Sequence, residues 1–261
     1  MKYLLALFLL VLDLNSITLG VVPQQSPLKL MKVWIPIVNY LQKTTGEKVD
    51  LKLQRSISNF EKKLYNGAYD IAYMNPYHYI VAHKKYGYLA AVRAKKDIIG
   101  ILVANKKSGI TDISMTKGKT FLFPSPNAFA ATLLTKYELL SDYGIDIEHF
   151  LYVNSHDSVY KGVARGIGDV GGGIERTFDN FKDKKTKDSL FILYKTKSYP
   201  SHPIAYKPSL PSALKIKFTK AFLNMPKNLL DLLSIKKIIT TQDKEYNIVR
   251  NLAKKLRLGG K

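Results

Sequence analysis

Tyr69-Asp70-Ile71-Ala72-Tyr73-Met74-Asn75-Pro76-Tyr77 reads as a short apolar strand, Ile71–Tyr73, that turns at once into a helix running through Lys85. Asn75 and Pro76 mark the helix start. An Asn at the cap accepts from backbone N–H groups that the first turn leaves unpaired, and proline at the next position has no N–H to orphan. The same strand–turn–helix unit recurs on either side. Upstream, Ile17–Val22 (ITLGVV) is a strand that leaves through Pro23-Gln24-Gln25-Ser26-Pro27. The helix that follows carries an apolar stripe at Leu30, Val33, Trp34, Ile37, Val38 and Leu41, and Pro36 inside the stripe predicts a kink or break. Val49–Leu53 alternates as a strand, and Ser58-x-x-Glu61 has the capping-box spacing of a helix reaching Tyr65. Tyr88–Val92 and Ile98–Val103 are further strands.

After Gly109 the pattern restarts. Thr120–Phe123 is a strand, Pro124–Asn127 turns into a long helix through Tyr143, and Phe150–Val153 is a strand followed by a helix over His156–Arg165. Asp169–Gly173 is a buried strand, Glu175–Lys182 a helix and Phe191–Tyr194 a strand; a Pro-rich crossing at Tyr199–Pro203 precedes a mostly helical segment from Ser212. Two successive β-α-β arrays predict an α/β protein with parallel sheets in two lobes. Such folds hold ligands beyond the carboxyl ends of the strands, in the crevice between the lobes.

Composition narrows the function. A length of 261 residues accommodates one large domain or two lobes, and 46% hydrophobic residues with 17 Tyr and 11 Phe exclude a disordered chain. The absence of Cys excludes a disulfide scaffold, an iron–sulfur cluster, a Cys-ligated zinc and a thiol nucleophile. The charge, 41 − 20 = +21, suits nucleic acid, an acidic membrane surface or a small anion. The basic residues are spread along the chain without the stripe or arm of a nucleic-acid binder, so no nucleic-acid partner is expected. Lys2 followed by the apolar run Leu4–Leu12 reads as a secretory signal peptide over residues 1–16, and the run is shorter than the ~20 residues a membrane-spanning helix needs. Export of a Cys-free chain points to a bacterial periplasm.

Catalytic and metal motifs are missing. Gly166-Ile167-Gly168-Asp169-Val170-Gly171 matches G-x-G-x-x-G, but it follows a helix and leads into a strand, the reverse of a dinucleotide-binding turn. It reads instead as a helix terminus and a closely packed strand. His78, His83, His149, His156 and His202 include no i, i+4 pair, so neither a metal nor another cofactor is expected, and no nucleophile–base set suggests an enzyme. Four segments lie where strands end and helices begin: Gln24–Ser26, Tyr73–Tyr77, Pro124–Phe129 and Asn154–Asp157. Free backbone N–H groups and the helix dipole make such places suited to anions.

The chain resembles the phosphate/phosphite/phosphonate-binding proteins of ABC transporters, the PhnD family. The resemblance rests on Gly20-Val21-Val22-Pro23-Gln24, Tyr69–Pro76, Phe123–Phe129, and His156-Asp157-Ser158 with Val163-Ala164-Arg165-Gly166 and Gly168-Asp169-Val170. It implies a type II periplasmic-binding fold, two α/β lobes joined by two hinge-crossing segments near Ile101–Asn105 and Ser198–Tyr206. The lobes would be residues 17–103 with 204–261, and 104–203. It implies a monomeric periplasmic solute-binding protein that delivers a small polar or anionic ligand to an ABC permease in the inner membrane; a periplasmic sensing module for a membrane signalling protein is the alternative. The site residues it suggests are Gln25, Ser56, Tyr73, Asn75, Tyr77, Ser125, Asn127, Phe129, His156, Arg176 and His202. Two departures bear on the ligand. Where the family carries a Ser-Thr-Ser anion grip, this chain has Ala128-Phe129-Ala130, and Arg176 and His202 stand where acidic residues would hold an amine. A ligand without a free amine is expected, held at His156, with Phe129, Tyr73 and Tyr77 available to stack on a flatter organic molecule.

Overall fold

The computed structural model describes residues 16–256. Its strands are β1 (Ile17–Val21), β2 (Val49–Leu53), β3 (Ile71–Tyr73), β4 (Leu89–Ala94), β5 (Ile98–Asn105), β6 (Phe121–Phe123), β7 (Phe150–Tyr152), β8 (Val170–Ile174), β9 (Leu190–Tyr199), β10 (Pro203–Tyr206) and β11 (Ile238–Thr240). They form a sheet of order β11-β4-β10-β3-β1-β2 in the first lobe and one of order β7-β6-β8-β5-β9 in the second. β1 runs parallel to β2 and β3, and β6 parallel to β7 and β8, as the β-α-β pattern requires. The sheets are nevertheless mixed. β10 is antiparallel to β3 and β4, and β5 is antiparallel to β8 and β9, because strands next to the crossings enter their sheets from the opposite end.

The chain passes between lobes at Lys95–Asp97 and returns at Pro200–His202. The first crossing precedes the stretch expected from sequence. Ile101–Asn105 lies inside a continuous strand paired on both edges, so Ile98–Val103, expected in the first lobe, belongs to the second sheet. Its side chains show why: Leu102 and Ala104 fill one core of that lobe, while Ile101 and Val103 fill the core on the other face. Period-two alternation between two apolar faces is what a sheet covered on both sides demands.

The helices that reach the cleft are α1 (Pro27–Thr45), α2 (Ile57–Leu64), α3 (Pro76–Tyr86), α4 (Thr135–Tyr143), α5 (His156–Ala164) and the short α6 (Glu175–Asp179). Pro36 does not break α1. The carbonyl it frees belongs to Lys32, an exposed residue, where water can serve it. The α2 cap is Ser56, whose Oγ accepts from the Asn59 N–H at 3.2 Å, in place of the expected Ser58. The predicted long helix before Tyr143 opens with wide turns over Phe129–Leu134, where the Ala128 carbonyl accepts from both Thr132 N–H (2.8 Å) and Leu133 N–H (3.2 Å).

The glycine-rich stretch is structural, as its context indicated. Gly166 ends a helix with φ +74°. A Cβ on Gly171 would stand 2.6 Å from Val159 and 2.7 Å from Val163, so bare backbone lets α5 lie directly on β8. At Gly172 a Cβ would meet the Ala131 carbonyl and the Phe123 ring, so the same strand seats the Phe129–Leu134 turns. Those turns then reach across: Phe129, Leu133 and Leu134 join the core that Leu19, Trp34 and Ile71 build in the first lobe. The lobes are closed on one another.

Candidate functional site

Strand ends of both lobes converge on a small cavity, with about 10 Å³ open to the centre of a water molecule. Gln24 enters after β1, Asn75 after β3, Ala128–Ala131 after β6, His156 after β7 and His202 from the return crossing; Ile57 at the α2 start and Ile174 at the end of β8 supply apolar walls. The lobes touch through polar contacts around it. Asn75 Nδ2 donates to the Asn127 carbonyl at 3.0 Å, the His156 N–H to the Gln24 carbonyl at 3.4 Å, and Lys29 Nζ pairs with Asp157 at 2.7 Å.

The helix starts here are finished differently. The Asn75 side chain caps α3, accepting from the His78 N–H at 2.7 Å, and Ser155 Oγ caps α5, accepting from the Ser158 N–H at 3.2 Å. No side chain caps the start at Phe129. The N–H groups of Phe129, Ala130 and Ala131 belong to a first turn that has no acceptors within the helix, and these residues line the cavity.

Two histidines complete the lining, His156 at 2% and His202 at 3% exposure. Gln24 Nε2 lies 2.9 Å from His202 Nε2. An amide nitrogen can only donate, so His202 Nε2 accepts and its ring proton sits on Nδ1. Among the described residues neither Nδ1, of His156 or His202, has a partner. A buried polar atom left unpaired costs about 1–3 kcal/mol, so such atoms are tolerated where something else satisfies them. Burial, then the positive charge of Arg176, lowers the His156 pKa to about 4. Burial, Arg176 and the neighbouring histidines hold His202 well below its ordinary value. Both rings are neutral near pH 7, each with one donor. Among the described residues no carboxylate lines the cavity.

A family model described as ABC transporter, phosphonate, periplasmic substrate-binding protein matches residues 19–246. The chain belongs to this family. It is 23% identical over 249 residues to a probable ABC transporter phosphite-binding protein, PhnD1, of Prochlorococcus marinus, covering 85% of this chain and 78% of that one. It is 26% identical over 201 residues to the phosphate-import protein PhnD of Mycolicibacterium smegmatis, covering 67% of this chain and 58% of that one. The structure of the Prochlorococcus protein in complex with methylphosphonate superposes with a TM-score of 0.87 at 19% identity, over 94% of this chain and 99% of that chain. The two-lobed fold and the substrate-binding role follow, and the family is one of transport receptors and not of enzymes.

In this substrate-binding protein the residues expected from sequence separate into two sets. Asn75, Phe129, His156 and His202 line the cavity. Tyr73 stands behind it, its ring stacked on His202 at 5.4 Å and tilted against Trp34 at 5.2 Å, and its hydroxyl accepts from Arg176 at 3.1 Å. Arg176 lies outside, towards the hinge, and acts on the histidines by its charge. Asn127 contributes its carbonyl and not its side chain. Ser125 is buried with its Oγ unpartnered, though it does not line the cavity. Ser56 is occupied as a helix cap, Tyr77 is buried outside the cavity, and Gln25 lines an outer groove. A tight turn, with the Gln24 N–H 2.9 Å from the Val22 carbonyl, presents Gln24 and not Gln25 to the cavity. Gln24 sits in the first motif of the family resemblance, and Ala128 stands where the family's anion grip lies, which were the available signals; Ile57 and Ile174 are apolar and carried none. The stacking role is filled within the protein, since Tyr73 packs on His202 and Phe129 meets Tyr199 edge-on at 5.5 Å. Among the described residues no group of His, Asp or Glu could hold a metal ion, and no helix is long and apolar enough to cross a membrane. The signal-peptide reading falls, up to residue 15, outside the described residues.

Proposed function

We propose that this protein captures a small phosphorus oxyanion, such as phosphite, phosphate or a simple phosphonate, and passes it as a monomer to an ABC permease. The observation that carries the reading is the pair of buried histidines, His156 and His202, each with an unpartnered Nδ1, that line a cavity also receiving the uncapped start at Phe129. Backbone N–H groups replace the hydroxyls of the family's Ser-Thr-Ser grip: they need no side chain, and the helix dipole adds to them. The histidines and the Gln24 amide close round the remaining oxygens, while Asn75 holds the lobes together beside them. Charge favours an anion, since Arg176 is near and no carboxylate lines the cavity. An ammonium group finds no acceptor of opposite charge. Opening turns on Lys95–Asp97 and Pro200–His202, which join the lobes without other chain crossings. Residues 1–16 act as the export signal, and N-terminal sequencing of the exported protein should begin between about residues 14 and 20.

Calorimetry with phosphite, phosphate, methylphosphonate and 2-aminoethylphosphonate tests the reading. At least one of the first three binds one-to-one. 2-Aminoethylphosphonate is at least about tenfold weaker, the loss of one charged hydrogen bond. His156→Ala weakens binding by about 1–3 kcal/mol without a matching fall in melting temperature. Absence of binding by all three oxyanions to folded protein would reject the proposal.

A further inference from the structure

On the hinge side of the cleft lies a second, larger pocket of about 460 Å³. That is within the range of small-molecule sites, roughly 300–1,000 Å³. The outgoing crossing (Ala94–Ile99), the α6 start, the return crossing at Ser201-His202 and the loop Ser234–Lys237 enclose it. It shares Ile174 and His202 with the central cavity, so these side chains form a common wall, with Arg176 beside them. His202 brings an unpartnered, fully enclosed Nδ1 to that wall.

Within the wall His202 is bonded to Gln24 at 2.9 Å and stacked on Tyr73, while Arg176 beside it is held by weak ties. Arg176 donates to two neutral acceptors, the Tyr73 hydroxyl at 3.1 Å and the Leu233 carbonyl at 3.2 Å, and makes no ion pair among the described residues. A guanidinium without a carboxylate can exchange such bonds for an anionic or polar ligand group at little cost. The rim is positive. Asp97 is engaged by Arg93, and Glu175 by Lys96 and Lys195; Asp179 makes no ion pair among the described residues, but neither do Lys95, Lys236 and Lys237, so the unpaired lining charge is positive on balance.

We propose, resting on the oxyanion reading above, that the ligand is a phosphonate or phosphate monoester with a ring-sized, uncharged or anionic organic substituent. The phosphorus end occupies the central cavity, and the substituent passes the Arg176–His202 wall into the hinge pocket. Bare phosphate would leave that pocket empty; a cationic substituent would meet Arg176 and the lysine rim.

Competition calorimetry with methylphosphonate and phenylphosphonate decides the matter. In the wild-type protein phenylphosphonate binds within about tenfold of methylphosphonate; a closed wall would exclude the ring and cost more than about a hundredfold. Ile99→Trp, which adds an indole to the hinge pocket from β5, lowers phenylphosphonate affinity at least about tenfold and leaves methylphosphonate unchanged. Should that variant fail to fold, Ile99→Phe and the wild-type comparison give the same decision. Methylphosphonate binding with phenylphosphonate excluded overturns this inference and leaves the oxyanion reading standing. Equal indifference of both ligands to the substitution also overturns it, because the ring is then elsewhere. Failure of both phosphonates, and of phosphite and phosphate, to bind folded protein rejects the oxyanion reading and this inference with it.

Discussion

Two helix starts meet at the cleft and are completed in opposite ways. At α3, Asn75 spends its side-chain oxygen on the His78 N–H and its nitrogen on the Asn127 carbonyl across the cleft. At Phe129 no side chain intervenes, and Ala128 offers a methyl group. The first start is finished by the protein and serves to hold the lobes together. The second is left for something else to finish. Whether a helix terminus is open to an anion depends less on the dipole, which both possess, than on whether local chemistry has already used the donors.

Supplying the missing cap should break the contrast most severely. Ala128→Asp places a carboxylate where it accepts from the free N–H groups. It should raise stability by about 1 kcal/mol, as an N-cap does, and lower oxyanion affinity at least about a hundredfold through like-charge repulsion. A thermal melt beside calorimetry reads both; unchanged affinity would remove the Phe129 start from the site.

Acid should sharpen the contrast next, because the second start is bordered by a histidine kept neutral. The His156 pKa is about 4 when folded against 6.5 unfolded, so the unfolded chain takes up the proton first. Stability is complete above about pH 6.5 and falls as pH drops towards 4, by about 3 kcal/mol from this residue alone. Ligand-free melts from pH 7.5 to 4.5 should slope accordingly, and His156→Asn should reduce the slope. Saturating anion opposes the trend, since it raises the histidine pKa, and affinity weakens as pH rises through the bound-state value.

Removing the finished cap is a smaller change. Asn75→Ala should cost about 0.5–2 kcal/mol of stability, measured by denaturant unfolding. Smallest is Asp157→Ala, which breaks the Lys29 bridge between lobes at the edge of the cleft. A part-exposed pair of this kind contributes less than about 1 kcal/mol, so melting should shift little, and any loss of affinity should disappear in high salt.

The sequence by itself determined the strand–turn–helix units, since Asn75-Pro76, the apolar stripe of α1 and the short β-rich runs are local signals of local geometry. It also determined that the glycine motif was no nucleotide turn, through its order relative to helix and strand, and it singled out Asn75, Phe129, His156 and His202. Tertiary structure decided the rest. Strand direction beside the crossings depends on which sheet a strand enters, which no local pattern states; β5 reads the same in either lobe until its two faces meet two cores. The choice of Gln24 over Gln25 rests on a single turn, and the demotion of Ser56 to a helix cap on one hydrogen bond. The walls at Ile57 and Ile174 are apolar residues like any others in the chain. Their place beside two imidazoles with unpartnered Nδ1 atoms follows only from closure of one lobe on the other, because burial and the loss of water's hydrogen bonds belong to the assembled cleft and not to any segment within it.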